Sequence, residues 1–399
     1  MKKGFLAAPV LFLVLSSFIS GCSKGTNILN TTQGVSDSEI LIGSSSALGG
    51  HASFLGTQTI HGSLAYINEM NGKGGVHGRK IRLISYDDQY DPPKTVANTQ
   101  KLISQDKVFI LFDYVGTPTA VKIIDIVHEA EIPILGFFTG AEALRTPFRP
   151  VMFHVRDSYY SEAEGAVALF VDKLGLKKIA IMYQEDAFGL AVLSGVQLAL
   201  KRRNMEPVTT ATFVRGTMDV ENAVKAIKAS DAQAVVMVGT YSPLAKFIKK
   251  SLDVDFAPYF HTVSFVGSEA FGQEILTQKV NPGHYDKIVV TQVVPSPFNE
   301  ELATVKEYLN LIKKYYPNDT PNYVALEGFI NAKVLVRTLQ DAGRDLTRAK
   351  FIAALESMRN VDMGIGKLIS YGNLDHAGLE GIYYSKVAAD GTFRIFEPK

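Results

Sequence analysis

Residues 108–140 read VFILFDYVGTPTAVKIIDIVHEAEIPILGFFTG and contain two apolar runs separated by a segment of helical spacing. The runs, residues 108–112 and 132–138, are apolar on successive positions, which is typical of strands covered by helices on both faces. The segment between them, residues 119–129, repeats its apolar side chains at helical period. A strand, a helix and a second strand in this order predict a parallel pair joined by a right-handed crossover.

The same alternation covers most of the chain. Further strands are predicted at residues 40–42, 81–86, 179–183, 208–213, 234–238 and 288–294, and helices at residues 58–70, 94–105, 190–203 and 220–228. Helices at residues 300–315, 323–341 and 348–357 follow, then short strands near residues 367–371, 383–388 and 393–396. The predicted fold class is α/β and doubly wound. Since 399 residues exceed one typical domain, we expect the arrangement to occur twice.

The first residues are typical of an export signal. Lys2 and Lys3 precede an apolar run from Phe5 to Phe18. As a helix this run would be about 21 Å long, too short for a hydrocarbon core of about 30 Å, so residues 1–21 are predicted to be a signal peptide. The run Ile19-Ser20-Gly21-Cys22 is similar to the lipobox of bacterial lipoproteins, which implies cleavage before Cys22 and a lipid on that residue. The alternative is an incidental thiol, although Cys22 is the single cysteine of the chain.

The composition of the chain argues against binding to nucleic acid or to lipid headgroups. Residues 22–38 are rich in Ser, Thr, Asn, Gly and Gln and predict a flexible tether. The chain has 41 Lys and Arg against 40 Asp and Glu, so it has no basic excess for nucleic acid and no polybasic segment for lipid headgroups. We therefore expect a periplasmic or cell-surface protein that contacts the membrane only through the lipid at Cys22.

Motifs for metal, cofactor or nucleophilic chemistry were not found. The eight histidines show no His-x-His or His-Glu-x-x-His spacing. The Gly-rich run at residues 43–50 lacks the G-x-G-x-x-G spacing of dinucleotide sites, and no G-x-S-x-G elbow occurs. The sequence therefore predicts no metal, no cofactor and no enzymatic activity.

Polar residues follow several predicted strands, where open α/β sheets bind ligands. Gly116-Thr117-Pro118-Thr119 follows the strand at residues 108–112, and residues 138–142 follow the next strand. A hydroxyl beside the free N–H groups of a helix start can bind an anion. The alternative is that Thr117 or Thr119 only caps its own helix. Residues 183–188 and 240–242 supply aromatic side chains after later strands.

Three runs carry a resemblance to a known family: residues 42–56, the Gly-rich residues 74–80, and residues 86–92 with their Tyr-Asp-Asp. They resemble the leucine/isoleucine/valine-binding type of periplasmic solute receptor, from about Asp37 to the C-terminus. The resemblance implies a type I periplasmic-binding fold with two Rossmann-like lobes. Lobe I would comprise residues 39–155 and 295–368, and lobe II residues 156–294 and 369–399. Three segments near residues 153–156, 293–295 and 367–371 would cross between the lobes.

The resemblance also implies a pocket between the lobes. Its carboxylate-binding hydroxyl corresponds to Thr117, and the residues implied around the ligand are Phe54 or Leu55, Phe138, Thr139, Gly140, Phe188 and Tyr241. The acidic residue that receives a ligand ammonium in this family aligns near Ser264 or Phe265, and neither is acidic. Either Glu142, Asp186 or Glu269 replaces it, or the ligand is not an α-amino acid.

The function implied is that of a lipid-anchored solute-binding component of an ABC importer of the branched-chain amino acid type. Its partners would be a permease–ATPase complex and a small amino acid or related apolar or aromatic carboxylate. The alternative is a sensory receptor that presents its closed form to a membrane kinase or chemoreceptor. An exported enzyme such as an amidase is disfavoured, because the sequence contains no recognisable nucleophile–base pair.

Overall fold

The computed structural model describes residues 31–398 together with Met1 and Gly4. The predicted signal peptide and Cys22 lie outside the described residues. Among the described helices, none is both long enough and apolar enough to cross a bilayer.

The first sheet has five parallel strands in the order β2-β1-β3-β4-β5. Its strands are β1 (Glu39–Ser46), β2 (Lys80–Asp87), β3 (Ile110–Phe112), β4 (Ile134–Leu135) and β5 (Met152–Phe153). Four helices alternate with them: α1 (Ser53–Gly72), α2 (Pro92–Ser104), α3 (Thr117–Ala120) and α4 (Ile124–Glu129). The chain already packs on this sheet before β1, since Leu41 donates its N–H to the Gly34 carbonyl at 2.7 Å.

The second sheet has seven strands in the order β14-β13-β10-β9-β8-β6-β7. Its strands are β6 (Ile179–Gln184), β7 (Thr209–Phe213), β8 (Ala234–Val238), β9 (Tyr259–Thr262), β10 (Ile288–Gln292), β13 (Tyr383–Val387) and β14 (Phe393–Phe396). The helices are α5 (Tyr159–Val167), α6 (Ala187–Lys201), α7 (Glu221–Ala229), α8 (Tyr241–Leu252) and α9 (Ser268–Thr277). Strands β6 to β10 are parallel, whereas β13 and β14 form an antiparallel hairpin at one edge.

Three further helices return the chain to the first sheet. They are α10 (Ala303–Tyr315), α11 (Tyr323–Ala342) and α12 (Arg348–Ser357), followed by the short pair β11 (Val361–Asp362) and β12 (Leu368–Ile369). Helix α11 packs closely on α1 at Gly62, where an added β-carbon would lie 1.8 Å from the Ala325 carbonyl oxygen. Only glycine permits that approach.

The predicted α/β class with parallel sheets is confirmed, and three local predictions need correction. The helix predicted at residues 119–129 is broken by a 3₁₀ turn at residues 121–123, where β-branched side chains favour a helix only weakly. The strand predicted at residues 132–138 is shortened to β4, because Gly136 has a φ of +82° and turns the chain. The predicted set lacked α5, α8, α9, β5, β9 and β11.

Candidate ligand-binding site

The predicted site residues lie after the C-terminal ends of strands from both sheets. Leu55 is in α1 after β1, Thr117 begins α3 after β3, residues 138–140 follow β4, Phe188 is in α6 after β6, Tyr241 begins α8 after β8, and Ser264 follows β9. In each sheet the strand order reverses at this edge, between β1 and β3 and between β6 and β8. Such reversal points leave crevices in which α/β proteins bind ligands.

Two threonine hydroxyls form the polar part of the site. The Thr117 and Thr139 Oγ1 atoms lie 2.6 Å apart, and both side chains are fully buried. Tyr159 in α5 reaches the same place, because its N–H donates to the Gly140 carbonyl at 2.7 Å. A β-carbon on Gly140 would lie 2.6 Å from that nitrogen, so the close contact between the loop after β4 and the start of α5 requires glycine at this position.

A cluster of aromatic rings forms the apolar part of the site. Phe265 lies at its centre, with ring centroids 4.5 Å from Phe188, 5.6 Å from Phe138 and 6.0 Å from Tyr90. Tyr90 and Phe138 follow strands of the first sheet, whereas Phe188 and Phe265 follow strands of the second. Each of the four is at most 1% exposed. The two sheets therefore enclose one aromatic site between them.

Unpartnered polar atoms remain inside this enclosure. The hydroxyls of Tyr90 and Tyr159 and the side-chain carbonyl of Gln184 have no hydrogen-bond partner among the described residues. Burial raises the pKa of the Tyr159 phenol, while the Arg156 charge and the nearby hydroxyls of Thr139 and Thr117 lower it. Since buried polar groups are normally paired, these atoms are suited to contact a ligand.

A buried guanidinium and two carboxylates lie beside the aromatic cluster. Arg156 is fully buried, donates through Nη2 to the Ser264 hydroxyl, and places Nε 3.3 Å from Glu327 Oε1 in α11. Its Cζ lies 4.8 Å from the centre of the Phe138 ring. Glu162 accepts from the Ser264 N–H at 2.7 Å and from the Ser264 hydroxyl at 2.9 Å. Its carboxylate also accepts from Thr291 Oγ1 at 2.7 Å.

The charges in this cluster influence one another. Burial raises the pKa of Glu327 to about 7, with the Arg156 charge opposing the shift. Burial also raises the pKa of Glu162, against the Arg156 charge and the hydrogen bonds from Ser264 and Thr291. Burial alone would lower the pKa of Arg156, but the neighbouring Glu327, Tyr159 and Glu162 raise it. The guanidinium therefore stays charged inside the site.

The three acidic residues considered as ammonium acceptors have other surroundings. Asp186 caps α6 and accepts from the Phe188 and Gly189 N–H groups at 2.9 and 3.2 Å. Glu142 lines a cavity of about 700 Å³ together with Arg145 and Asp157. Glu269 accepts from the Tyr323 N–H at 3.2 Å and lines a separate cavity of about 520 Å³.

Tyr241 and Phe54 lie at the outer side of the site. Their ring centroids are 6.3 Å apart, and both rings line the cavity that contains Glu269. Tyr241 is half-buried, whereas Phe188 and Phe265 are fully buried. Tyr241 therefore differs in burial from the other aromatic residues of the candidate site, a difference that the sequence did not predict.

Sequence reasoning missed Arg156, Glu162, Tyr159, Tyr90 and Glu327. Tyr159 and Glu162 are three residues apart and share a face of α5, but no helix was predicted there. A motif search could not find the cluster, because Arg156, Ser264 and Glu327 meet only through tertiary structure.

Comparison with known proteins identifies the family. The family model described as periplasmic binding protein matches residues 39–392. The Leu/Ile/Val-binding protein homolog 7 of Brucella abortus (strain 2308) is 23% identical over 346 residues, which cover 82% of this chain and 83% of the relative. A crystal structure from Rhodopirellula baltica SH 1, described as a possible leucine/isoleucine/valine-binding protein, is 30% identical with a TM-score of 0.85 and covers 92% of this chain and 98% of that chain.

A second structure shares the fold at lower identity. The fatty acid ABC transporter substrate-binding protein from Thermomonospora curvata has a TM-score of 0.83 and 21% identity, covering 92% of this chain and 93% of that chain. The chain belongs to the periplasmic binding protein family and has its type I fold. This family consists of solute-binding proteins that work outside the cytoplasm, and it is not a family of enzymes.

Proposed function

We propose that this chain is the lipid-anchored solute-binding component of an ABC importer and binds a small amino acid or related apolar or aromatic carboxylate between its two sheets. The observation that carries the proposal is the buried pair of Thr117 and Thr139 hydroxyls, 2.6 Å apart, beside the aromatic cluster around Phe265. Two hydroxyls can both donate to a carboxylate, and aromatic rings supply apolar contact for the remainder of the ligand.

The proposed roles follow from these positions. Thr117, Thr139 and the Gly140 backbone bind the ligand carboxylate. Phe138, Phe188 and Leu55 enclose its apolar tail. Ser264 lies beside Arg156 on the second-sheet side, and Tyr241 contacts the ligand from the outer side. The lobe boundaries implied by the resemblance, residues 39–155 with 295–368 and residues 156–294 with 369–399, would place this pocket between the lobes.

Ligand entry would require the two halves to separate. Leu55 in α1 closely contacts the segment between β9 and α9 on the second sheet, since a β-carbon on Gly267 would lie 2.6 Å from Leu55 Cδ2. We propose a hinge at the three crossing segments near residues 153–156, 293–295 and 367–371. Small-angle scattering should give a smaller radius of gyration with ligand than without it. An unchanged radius across a series of bound ligands would argue against the hinge.

The lipid anchor can be tested separately. Cys22→Ser should release the protein from the membrane fraction while leaving its ligand affinity unchanged, because residues 22–38 are proposed to be only a tether. Ser23→Ala is the matched control and should remain membrane-bound. Retention of the Cys22→Ser protein in the membrane fraction would refute the anchor.

Thermal unfolding with a ligand panel tests the proposed function. A ligand that binds only the folded protein stabilises it by about 2.7 kcal/mol at 100 times its Kd, so at least one amino acid or organic carboxylate should raise the Tm clearly. The methyl ester of the same compound is the control, because it lacks the charge that Thr117 and Thr139 are proposed to bind. The absence of a shift with every carboxylate would contradict the proposal.

A further inference from the structure

Arg156 lies beside Ser264, the position near which the resemblance places an acidic residue. The ammonium acceptor of the family aligns near Ser264, and here the Ser264 hydroxyl instead accepts from Arg156 Nη2. Arg156 is fully buried, and its Nη1 has no hydrogen-bond partner among the described residues. A buried donor without a partner is costly. The site thus contains a guanidinium N–H group that a ligand oxygen could satisfy.

Arg156 adjoins the same enclosure as the two threonine hydroxyls. Its Cζ lies 4.8 Å from the ring centre of Phe138, the residue immediately before Thr139. It lies 5.9 Å from the ring centre of Tyr159, whose hydroxyl is near Thr117 and Thr139. A small ligand bound to the hydroxyl pair would therefore have the guanidinium as a close neighbour.

The carboxylates of the cluster are poorly placed to receive an ammonium. Both oxygens of Glu162 already accept hydrogen bonds, from Ser264 and Thr291. Glu327 Oε1 accepts no hydrogen bond from the described residues, but it lies 3.3 Å from Arg156 Nε, so its charge is already matched by the guanidinium. An ammonium near Ser264 would lie beside the guanidinium, and like charges repel strongly in a buried site. An uncharged oxygen at the same position would accept a hydrogen bond from Arg156.

We propose that the preferred ligands are carboxylates with an oxo or hydroxy oxygen on C2 and a branched or aromatic tail, rather than α-amino acids. Arg156 donates to the C2 oxygen while Thr117 and Thr139 bind the carboxylate. This inference rests on the solute-receptor function proposed above and narrows its ligand class.

Calorimetry on the purified full chain with matched ligands tests the inference. One set is leucine, 4-methyl-2-oxopentanoate and 4-methylpentanoate, and the other is phenylalanine, phenylpyruvate and 3-phenylpropanoate. In at least one set the oxo acid should bind about tenfold or more tightly than both the amino acid and the unsubstituted acid, because it alone forms a charge-assisted hydrogen bond to Arg156.

The outcomes separate the two proposals. An amino acid that binds more tightly than its oxo acid overturns the inference and leaves the receptor function standing. Equal affinity for the oxo and unsubstituted acids also overturns it, because the C2 oxygen would then make no contact of consequence. No binding by any carboxylate, in these sets or in the thermal panel, refutes the receptor function itself.

Two variants assign the preference to Arg156. Arg156→Lys keeps the charge but lacks the forked donor geometry, so the folded variant should lose most of the preference for the oxo acid. Glu327→Gln removes a carboxylate that competes for Arg156, and should tighten oxo-acid binding severalfold. If Glu327 instead received a ligand ammonium, Glu327→Gln would abolish amino-acid binding, which would overturn the inference. Thermal melting establishes which variants are folded. If neither variant is folded, the comparison of ligand affinities on the wild-type protein decides the inference.

Discussion

The proposed contact between Thr117 and the ligand can be tested with two neighbouring threonines. Both Thr117 and Thr119 are fully buried and lie in the same short helix, α3. The Thr117 hydroxyl pairs with the Thr139 hydroxyl at 2.6 Å, near the hydroxyl of Tyr159. The Thr119 hydroxyl instead donates to the backbone carbonyls of Val115 and Gly116, at 2.6 and 2.9 Å. Valine replaces either threonine with nearly the same shape and no hydroxyl.

The expected effects differ in kind. Thr117→Val removes a hydrogen bond to a charged carboxylate, which is worth about 1.5–3 kcal/mol, so ligand affinity should fall by about 10- to 150-fold. Thr119→Val removes a hydrogen bond within the protein and should lower the free energy of unfolding by about 1 kcal/mol. It should leave the ligand affinity within about twofold of wild type.

Calorimetry with the tightest-binding carboxylate of the panel measures the affinities, and urea unfolding without ligand measures the stabilities. Wild-type affinity in the Thr117→Val protein would remove this hydroxyl from the binding site. An equal loss of affinity in both folded variants would show that valine disturbs α3 generally, and would refute the direct contact.

Two further predictions concern stability. Gly62→Ala should lower the free energy of unfolding by about 1–3 kcal/mol through overpacking against Ala325. Gly72→Ala in the same helix is the control, because no atom lies within 4 Å of its new β-carbon, and it should be neutral or slightly stabilising. Equal losses of stability in the two variants would contradict the close packing of α1 on α11. Burial raises the pKa of Glu269 from 4.5 to about 8, so the folded protein retains a proton that the unfolded chain releases, and wild-type stability should fall as pH rises between these two pKa values. Glu269→Gln removes this loss, so its free energy of unfolding relative to wild type should rise by about 4 kcal/mol from pH 5 to pH 9. A pH-independent difference would contradict the shifted pKa.

The sequence predicted that the candidate site residues follow the ends of parallel strands, because topology alone determines that placement. Apolar runs identify parallel strands, and the residues after their C-terminal ends must meet at one edge. Thr117 and Thr139 follow adjacent strands, and their hydroxyls are paired in the structure. An apolar run indicates burial but not where a strand ends. Gly136, with its φ of +82°, turns the chain after β4, before Thr139.

The charged part of the site could not be predicted in this way. Arg156 lies after β5, Ser264 after β9 and Glu327 in α11. Their contacts depend on how two sheets and a returning helix pack together, and no local pattern encodes that packing. The close approach of α11 to α1 depends on Gly62 and Gly328, whose absent side chains give no hydrophobic signal.

Native mass spectrometry of the freshly purified full chain tests the central claim most directly. If the chain is a receptor for a small carboxylate, incubation with the panel should produce a one-to-one complex, and the added mass should be lost when the protein is unfolded. The Thr117→Val protein should show a much smaller bound fraction at the same ligand concentration. A wild-type protein that is folded, yet keeps its unliganded mass with every carboxylate at saturating concentration, would contradict the claim.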